Sequence, residues 1–387
     1  MASAWSAGRR RDRWRETVAG DAMVDCVRVR RHLSEPAGRD LATMKAVVKY
    51  GLGDKEVELR DVPEPSIGPA DVLLETKAAG VCGSDVEFWR NRITYPINVP
   101  VIQGHEFCGV VAATGADVAG FAVGDRVVSE TGAHVCGVCE FCRAGEYNIC
   151  PDRLGFGYGV DGAFTNYVCV PARCLHRVPD NVPFEHAALT EPIAVAYNAV
   201  CVKSEFDPGD LVVVLGPGPI GLFAAQVAKA GGARVVITGL PEDAVRLAAA
   251  EEIGFDAVVD VSQHRLEDLV AERTGGVGAR LVVDAAGAHA AFAQAMEIVR
   301  RNGQITKIAW NMEPLGLSLD PIVAKAVRVQ GSYSHTWRTW ENVLRLLAAG
   351  SLNMDAMISH VAPVTEWEAI YTAAEERHAV KAVLHPA

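Results

Sequence analysis

Asp210–Gly239, DLVVVLGPGPIGLFAAQVAKAGGARVVITG, reads as a strand, a glycine turn, an amphipathic helix and a second strand. The turn, Gly216-Pro217-Gly218-Pro219-Ile220-Gly221, satisfies G-x-G-x-x-G. It follows the apolar run Leu211–Leu215 and opens a helix, which is the context that gives the pattern its meaning. A first glycine there permits a tight turn, a second lets backbone approach a pyrophosphate, and a third lets helix and strand pack closely. The helix N-terminus adds partial positive charge. The plainer alternative is a glycine turn without a ligand, and the strand–turn–helix setting argues against it. A dinucleotide at Gly216, Gly218, Pro219, Ile220 and Gly221 is therefore expected.

An acid that binds the ribose hydroxyls is expected at the end of the second strand, about 20 residues on. Gly239 stands there instead, with Glu242 and Asp243 just beyond and Arg246 on the next helix. Loss of the acid removes a repulsion against a 2′-phosphate. Yet no arginine follows the strand directly, where it would best grip one. NAD and NADP both stay open, and Gly239 and Arg246 are the positions that face the choice.

Outward from the turn, AVRLAAAEEIGFDAVVD repeats helix then strand, and ARLVVDAAG and GQITKIAW add two apolar strands. Alternating β and α with continuously apolar strands predicts a doubly wound parallel sheet covered on both faces, over residues 194–331. Residues 44–193 have another texture: short β-branched runs such as AVVKY, DVLLETKAAG and CGVVAATG, broken by Gly, Pro and Asp. They predict a β-rich first domain. The tail, 332–387, reads as helix, loop, helix and strand with no further nucleotide-type unit, so it is expected to return to that first domain. The fold class is α/β.

The chain has 387 residues, half of them hydrophobic, and a net charge of −11. That acidity argues against nucleic acid or an anionic membrane as partner, and no apolar run approaches the 18–20 residues, roughly, that span a bilayer. Residues 1–43 differ, with nine arginines, no lysine and six acids. No apolar stretch there is long enough for a secretory signal. These residues are expected to form a poorly ordered extension ahead of a first strand at MKAVVKYG, and the protein to be cytoplasmic.

HVCGVCEFCRAGEYNIC (134–150) holds four of ten cysteines, Cys136, Cys139, Cys142 and Cys150, spaced C-x2-C-x2-C-x7-C. A reducing compartment argues against disulfides, and a redox pair needs two thiols rather than four. Four thiolates at this spacing can close every position of one tetrahedral zinc. Such a site has no room for substrate and is structural. Chemistry then needs a second, open metal site. AAGVCGSDVEFW, with Cys82, and VIQGHEFCG, with His105 and Glu106, are the stretches that qualify.

From Met44 onward the chain resembles the zinc-dependent medium-chain alcohol dehydrogenase family, most of all its sorbitol (polyol) dehydrogenase branch. The resemblance is carried by GVCGSD, GHE, the four-cysteine loop, EPIAVA, the glycine turn and SYSHTW, in family order. It implies a chaperonin-10-like catalytic domain flanking a Rossmann domain, with the active site in the cleft between them. It implies Cys82, His105 and Glu106 as catalytic zinc ligands. Glu191 is implied as the acid that joins the metal directly or through its water, and Asp85 as the acid that orients the histidine. Taken singly, each ligand has a plainer reading: a buried thiol, a turn histidine, a solvated glutamate, a helix-starting Glu-Pro. Ser84 matches the hydroxyl that passes the substrate proton outward.

By the same resemblance the reaction is hydride transfer from a secondary alcohol or polyol to NAD or NADP, and the enzyme a homodimer or homotetramer. Glu87 and Phe88 stand where relatives carry a histidine and a tyrosine, so Glu87 or water is left for the last proton step. Tyr333 matches a substrate-side tyrosine, whereas Ser332 replaces an arginine. Those departures speak against sorbitol itself and leave the reaction class untouched. Within that class, an amino-alcohol enzyme of the L-threonine dehydrogenase kind or an aminocyclitol oxidoreductase is the alternative. A dinucleotide-binding zinc protein without catalysis is the alternative from another class.

Overall fold

The computed structural model describes residues 43–93 and 95–387. Apart from Thr43, the expected extension lies outside the described residues. Six parallel strands form one sheet, ordered Ala257–Asp260, Arg234–Gly239, Leu211–Leu215, Ala279–Asp284, Val299–Lys307, Arg328–Gly331. Strand order reverses beside Leu211–Leu215, and ligands of such sheets bind at that switch point. Alternate residues of this strand feed opposite faces. Val212 and Val214 pack with Leu222, Phe223 and Val235 on one side, while Leu211, Val213 and Leu215 pack with Val270 and Phe292 on the other. Burial on both faces is why the strand is apolar at every position.

The earlier residues build a second, mainly antiparallel sheet: Ile358–Pro363, Lys381–His385, Asp71–Val81, Glu106–Thr114, Arg126–Ser129 and Leu175–Arg177, with Tyr167–Pro171 also paired to Asp71–Val81. A small sheet of Val57–Pro63, Thr43–Lys49 and Val101–Ile102 lies apart from it in pairing. Two strands of the larger sheet come from the tail. The first of them, Ile358–Pro363, falls where the sequence reads only as loop. It is six residues long, alternates exposed and half-buried positions and ends in proline, so its apolar signal is weak.

One apolar cluster joins the two sheets. It runs from Ala78, Cys108 and Val128 through Ile193, Ala194 and Ala196 to Val212 and Val214, and takes in Trp340 and Val343 from helix Trp337–Ala348. Glu191 lies in the first turn of helix Thr190–Tyr197, inside this junction. Among the described residues, no helix is long and apolar enough to cross a membrane.

Candidate active site

Three segments far apart in sequence converge on one cluster. Cys82 ends strand Asp71–Val81 and starts helix Gly83–Trp89, while His105 and Glu106 sit at the head of strand Glu106–Thr114. The Cys82 sulfur, a His105 ring nitrogen and a Glu106 oxygen all lie within 4.8 Å of one another. Asp85 braces the cluster from beneath. Its Oδ2 accepts from the Cys82 N–H at 2.9 Å, and its Oδ1 lies 3.3 Å from His105 Nδ1. His105 Nε2 is thereby turned to the Cys82 side, where Ser84 Oγ lies 3.4 Å away.

Glu106 faces Gly80 across the strand pair, and a Cβ on Gly80 would lie 2.2 Å from Glu106 Oε2. Only glycine leaves room for that carboxylate. Lys381, reaching in from the tail strand, donates to Glu106 Oε1 at 2.6 Å and to the Val81 carbonyl at 2.7 Å. Burial pushes the Glu106 carboxyl up and Lys381 opposes it. Oε2 is buried with no hydrogen-bond partner. Burial lowers the His105 imidazole, but Asp85 and Cys82 outweigh it and hold the ring well above its ordinary value. A half-buried thiol, a buried imidazole and a buried, orphaned carboxylate oxygen suit a divalent cation with borderline ligands.

Glu191 is outside the three-atom cluster. Its Oε1 accepts from Thr131 Oγ1 at 3.0 Å and lies 3.2 Å from His335 Nε2. Burial works against its ionisation, yet these partners and the His105 charge hold it well below the ordinary carboxylate range. Glu87 is turned away altogether, held at the surface by two 2.9 Å bonds from Arg92. Ser332 Oγ accepts from Asn198 at 3.2 Å, and Tyr333 is half-exposed.

Phe88 stacks with Tyr158 and meets Tyr95 edge-on. Arg153 donates to the Tyr158 hydroxyl and to Ser334 Oγ, with its guanidinium 5.9 Å from the Tyr333 ring. Among the described residues, no carboxylate lies within ion-pair distance of Arg153. This cation, Lys381, Gly80, Thr131, His335 and Trp340 escape the sequence reading. Lys381 left a trace, a lone lysine inside the apolar run AVKAVL; the others left none outside SYSHTW.

The cysteine loop is a separate cluster. Cys136, Cys139, Cys142 and Cys150 hold their sulfurs within 4.8 Å of one another. The Cys136 sulfur is 3.6 Å from Cys150 and 3.9 Å from Cys142. Such spacing is far beyond a disulfide bond. Four thiolates at 2.3 Å around a tetrahedral zinc stand about 3.8 Å apart, so the loop matches that geometry. Backbone N–H groups of Val138 and Cys139 pull the Cys136 thiol down to about 7.

At the glycine turn, a Cβ on Gly221 would meet the Gly216 carbonyl at 1.9 Å, whereas one on Gly218 would meet nothing within 4 Å. Close packing thus claims Gly221, and open space lies before Gly218 at the N-cap of helix Pro219–Ala230. Gly239 is packed tightly, since a Cβ there would lie 2.7 Å from Pro217. Arg246 points toward the tail, donating to the Ala379 carbonyl at 3.3 Å with Asp243 at 3.6 Å.

Residues 68–180 match the alcohol dehydrogenase GroES-like domain, and residues 219–349 match the zinc-binding dehydrogenase domain. The sorbitol dehydrogenase of Halalkalibacterium halodurans is 40% identical over 89% of this chain and 99% of its own length. The chain belongs to the zinc-dependent medium-chain alcohol dehydrogenase family. The D-arabitol-phosphate dehydrogenase of Enterococcus avium is 36% identical, covering 88% of this chain and 97% of that one. A Sinorhizobium meliloti 1021 protein solved bound to NADP superposes with a TM-score of 0.81 at 30% identity, covering 89% of this chain and 100% of that one. As a member of this family the chain is an enzyme, a zinc- and NAD(P)-dependent alcohol or polyol dehydrogenase with a small-molecule substrate.

Proposed function

We propose that residues 44–193 and 332–387 form the catalytic domain and 194–331 the cofactor domain, with Cys82, His105 and Glu106 holding the catalytic zinc and Glu191 joining it directly or through water. The reaction interconverts a secondary alcohol or polyol and its ketone. The observation that carries this is the convergence of half-buried Cys82 with buried His105 and Glu106, with Glu106 Oε2 left without a partner. Zinc bound there supplies a Lewis acid that makes an alcohol hydroxyl more acidic.

The chain's own residues do the rest. Asp85 fixes His105 so that Nε2 is free to ligate. Lys381 balances Glu106, keeping an ionised carboxylate tolerable in a dry site. Ser84 takes the hydroxyl proton toward solvent. With Glu87 engaged by Arg92, water is the next acceptor. Gly216, Gly218, Pro219, Ile220 and Gly221 seat the dinucleotide pyrophosphate at the helix N-terminus. Cys136, Cys139, Cys142 and Cys150 hold a structural zinc.

Initial rates over polyols, diols and amino alcohols, each with NAD and NADP, test the reading. Turnover of a secondary alcohol that disappears in Cys82→Ser and His105→Ala supports it, and turnover surviving both overturns it. A preference for L-threonine or an aminocyclitol would move the chain to the amino-alcohol alternative, and one zinc per chain with no turnover to the inert binder.

A narrower reading, that the polyol carries a phosphate, is favoured by Arg153, which among the described residues has no carboxylate within ion-pair distance and lies beside Tyr158 and Tyr333, and it fits the arabitol-phosphate relative. Arg153→Gln then lowers kcat/KM for the phosphorylated polyol about 10- to 100-fold relative to the neutral one. An equal loss on both removes this reading.

Val329 is exposed on edge strand Arg328–Gly331, and Leu319 and Val323 are exposed on the segment just before it; these apolar side chains favour a homodimer or homotetramer joined through that edge. Light scattering that returns one chain mass excludes it. Cytoplasmic residence fits the free thiols of both clusters.

A further inference from the structure

We propose that Trp340 and His335 are a positioning pair for Glu191, fixing which of its carboxylate oxygens is left for the metal or its water. The proposal rests on the assignment of Glu191 to the metal site made above. An indole N–H can only donate. Trp340 Nε1 lies 2.7 Å from His335 Nδ1, so Nδ1 accepts and the ring hydrogen sits on Nε2. Nε2 is 3.2 Å from both Glu191 Oε1 and Thr131 Oγ1. A nitrogen that carries its hydrogen has no lone pair for Thr131, so the threonine hydroxyl donates to Glu191 Oε1 instead, at 3.0 Å.

Every hydrogen in this four-residue chain is thereby assigned. Oε1 faces two donors, and among the described residues no hydrogen bond is made to Oε2. All four side chains are buried, so water does not compete for these partners. Trp340 is itself held, lying flat on His176 with ring centroids 5.6 Å apart and planes 10° off parallel. His176 is pinned between Glu341 at 2.7 Å and Glu130 at 3.3 Å. The other tautomer of His335 would turn a lone pair toward the Glu191 carboxylate, and the indole forbids it. The tail helix thus sets the orientation of a carboxylate that belongs to another segment.

Outer partners of metal ligands typically change metal affinity about 10- to 100-fold when removed. Trp340→Phe keeps the ring and loses the donor. His335→Leu keeps bulk and loses both nitrogens, whereas His335→Gln retains an N–H for Glu191. The expected result is that Trp340→Phe and His335→Leu weaken zinc binding at the Cys82 cluster about 10- to 100-fold in chelator competition. His335→Gln recovers most of it; the four-cysteine zinc, retained throughout, is the internal reference, and an unchanged circular dichroism spectrum and thermal midpoint report an intact fold. Ring-nitrogen NMR of the zinc-loaded wild-type protein, which needs no variant, shows His335 with hydrogen on Nε2.

Hydrogen on Nδ1, or unchanged zinc affinity in both Trp340→Phe and His335→Leu, overturns the pairing. Wild-type protein that takes zinc only in the cysteine loop overturns instead the reading on which it rests.

Discussion

The two cysteine-bearing clusters are built on opposite plans. Cys136, Cys139, Cys142 and Cys150 lie within fifteen consecutive residues, and the backbone N–H groups of Cys136, Cys139 and Cys142 point at the sulfurs of Cys150, Cys136 and Cys139. The loop makes its site locally. Cys82, His105 and Glu106 are brought together by two strands and a helix start, then braced by Asp85 from one segment and by Lys381, 275 residues beyond Glu106. The first site can be closed by four equivalent thiolates and do nothing more. The second mixes sulfur, nitrogen and oxygen donors with a buried counter-charge, which a purely structural cation does not need.

The largest effect that would break this contrast is on turnover. Cys82→Ser lowers kcat/KM at least about 10³-fold, or roughly 4 kcal/mol of transition-state stabilisation, while circular dichroism stays native. Metal analysis of that variant finds one zinc fewer per chain. A smaller but related loss is expected at the counter-charge. Lys381→Met strands the buried Glu106 carboxylate and destabilises the metal-free protein by about 3–5 kcal/mol in denaturant unfolding. Zinc narrows the gap, because the cation replaces the missing ammonium.

Cys139→Ser sharpens the contrast from the other side. It removes the loop zinc and lowers the thermal midpoint, yet turnover measured well below that midpoint persists. Smallest is a pair inside the glycine turn. Gly218→Ala leaves the melting temperature alone and weakens NAD(P) binding about tenfold, near 1.4 kcal/mol. Gly221→Ala drives a methyl into the Gly216 carbonyl and destabilises the fold first. The same midpoint shift in both variants would contradict the division of labour between these glycines.

What was legible in the sequence follows the same divide between local and assembled. The glycine turn, the parallel sheet and the cysteine loop are each specified by a continuous stretch, and their periodicity and spacing survive without knowledge of the rest. The residues of the Cys82 cluster were legible through resemblance rather than through spacing. Cys82 and His105 are 23 residues apart by number, with nothing local to join them. Asp85 was legible by the same route. Gly80, Lys381 and His335 were not, because their roles arise only where separate strands and the tail helix meet. Glu87 shows the limit from the opposite direction. It stands at the right distance in sequence from Cys82 to carry a proton, but the helix turns it outward to Arg92. Strand Ile358–Pro363 leaves no sign in the sequence because a short edge strand carries little apolar pattern.

The most direct measurement is anomalous scattering at the zinc edge from crystals of the purified protein. Two peaks per chain are expected, one enclosed by Cys136, Cys139, Cys142 and Cys150, the other among Cys82, His105 and Glu106. A single peak in the cysteine loop, with zinc supplied in excess and the Cys82 cluster bare, would contradict the account.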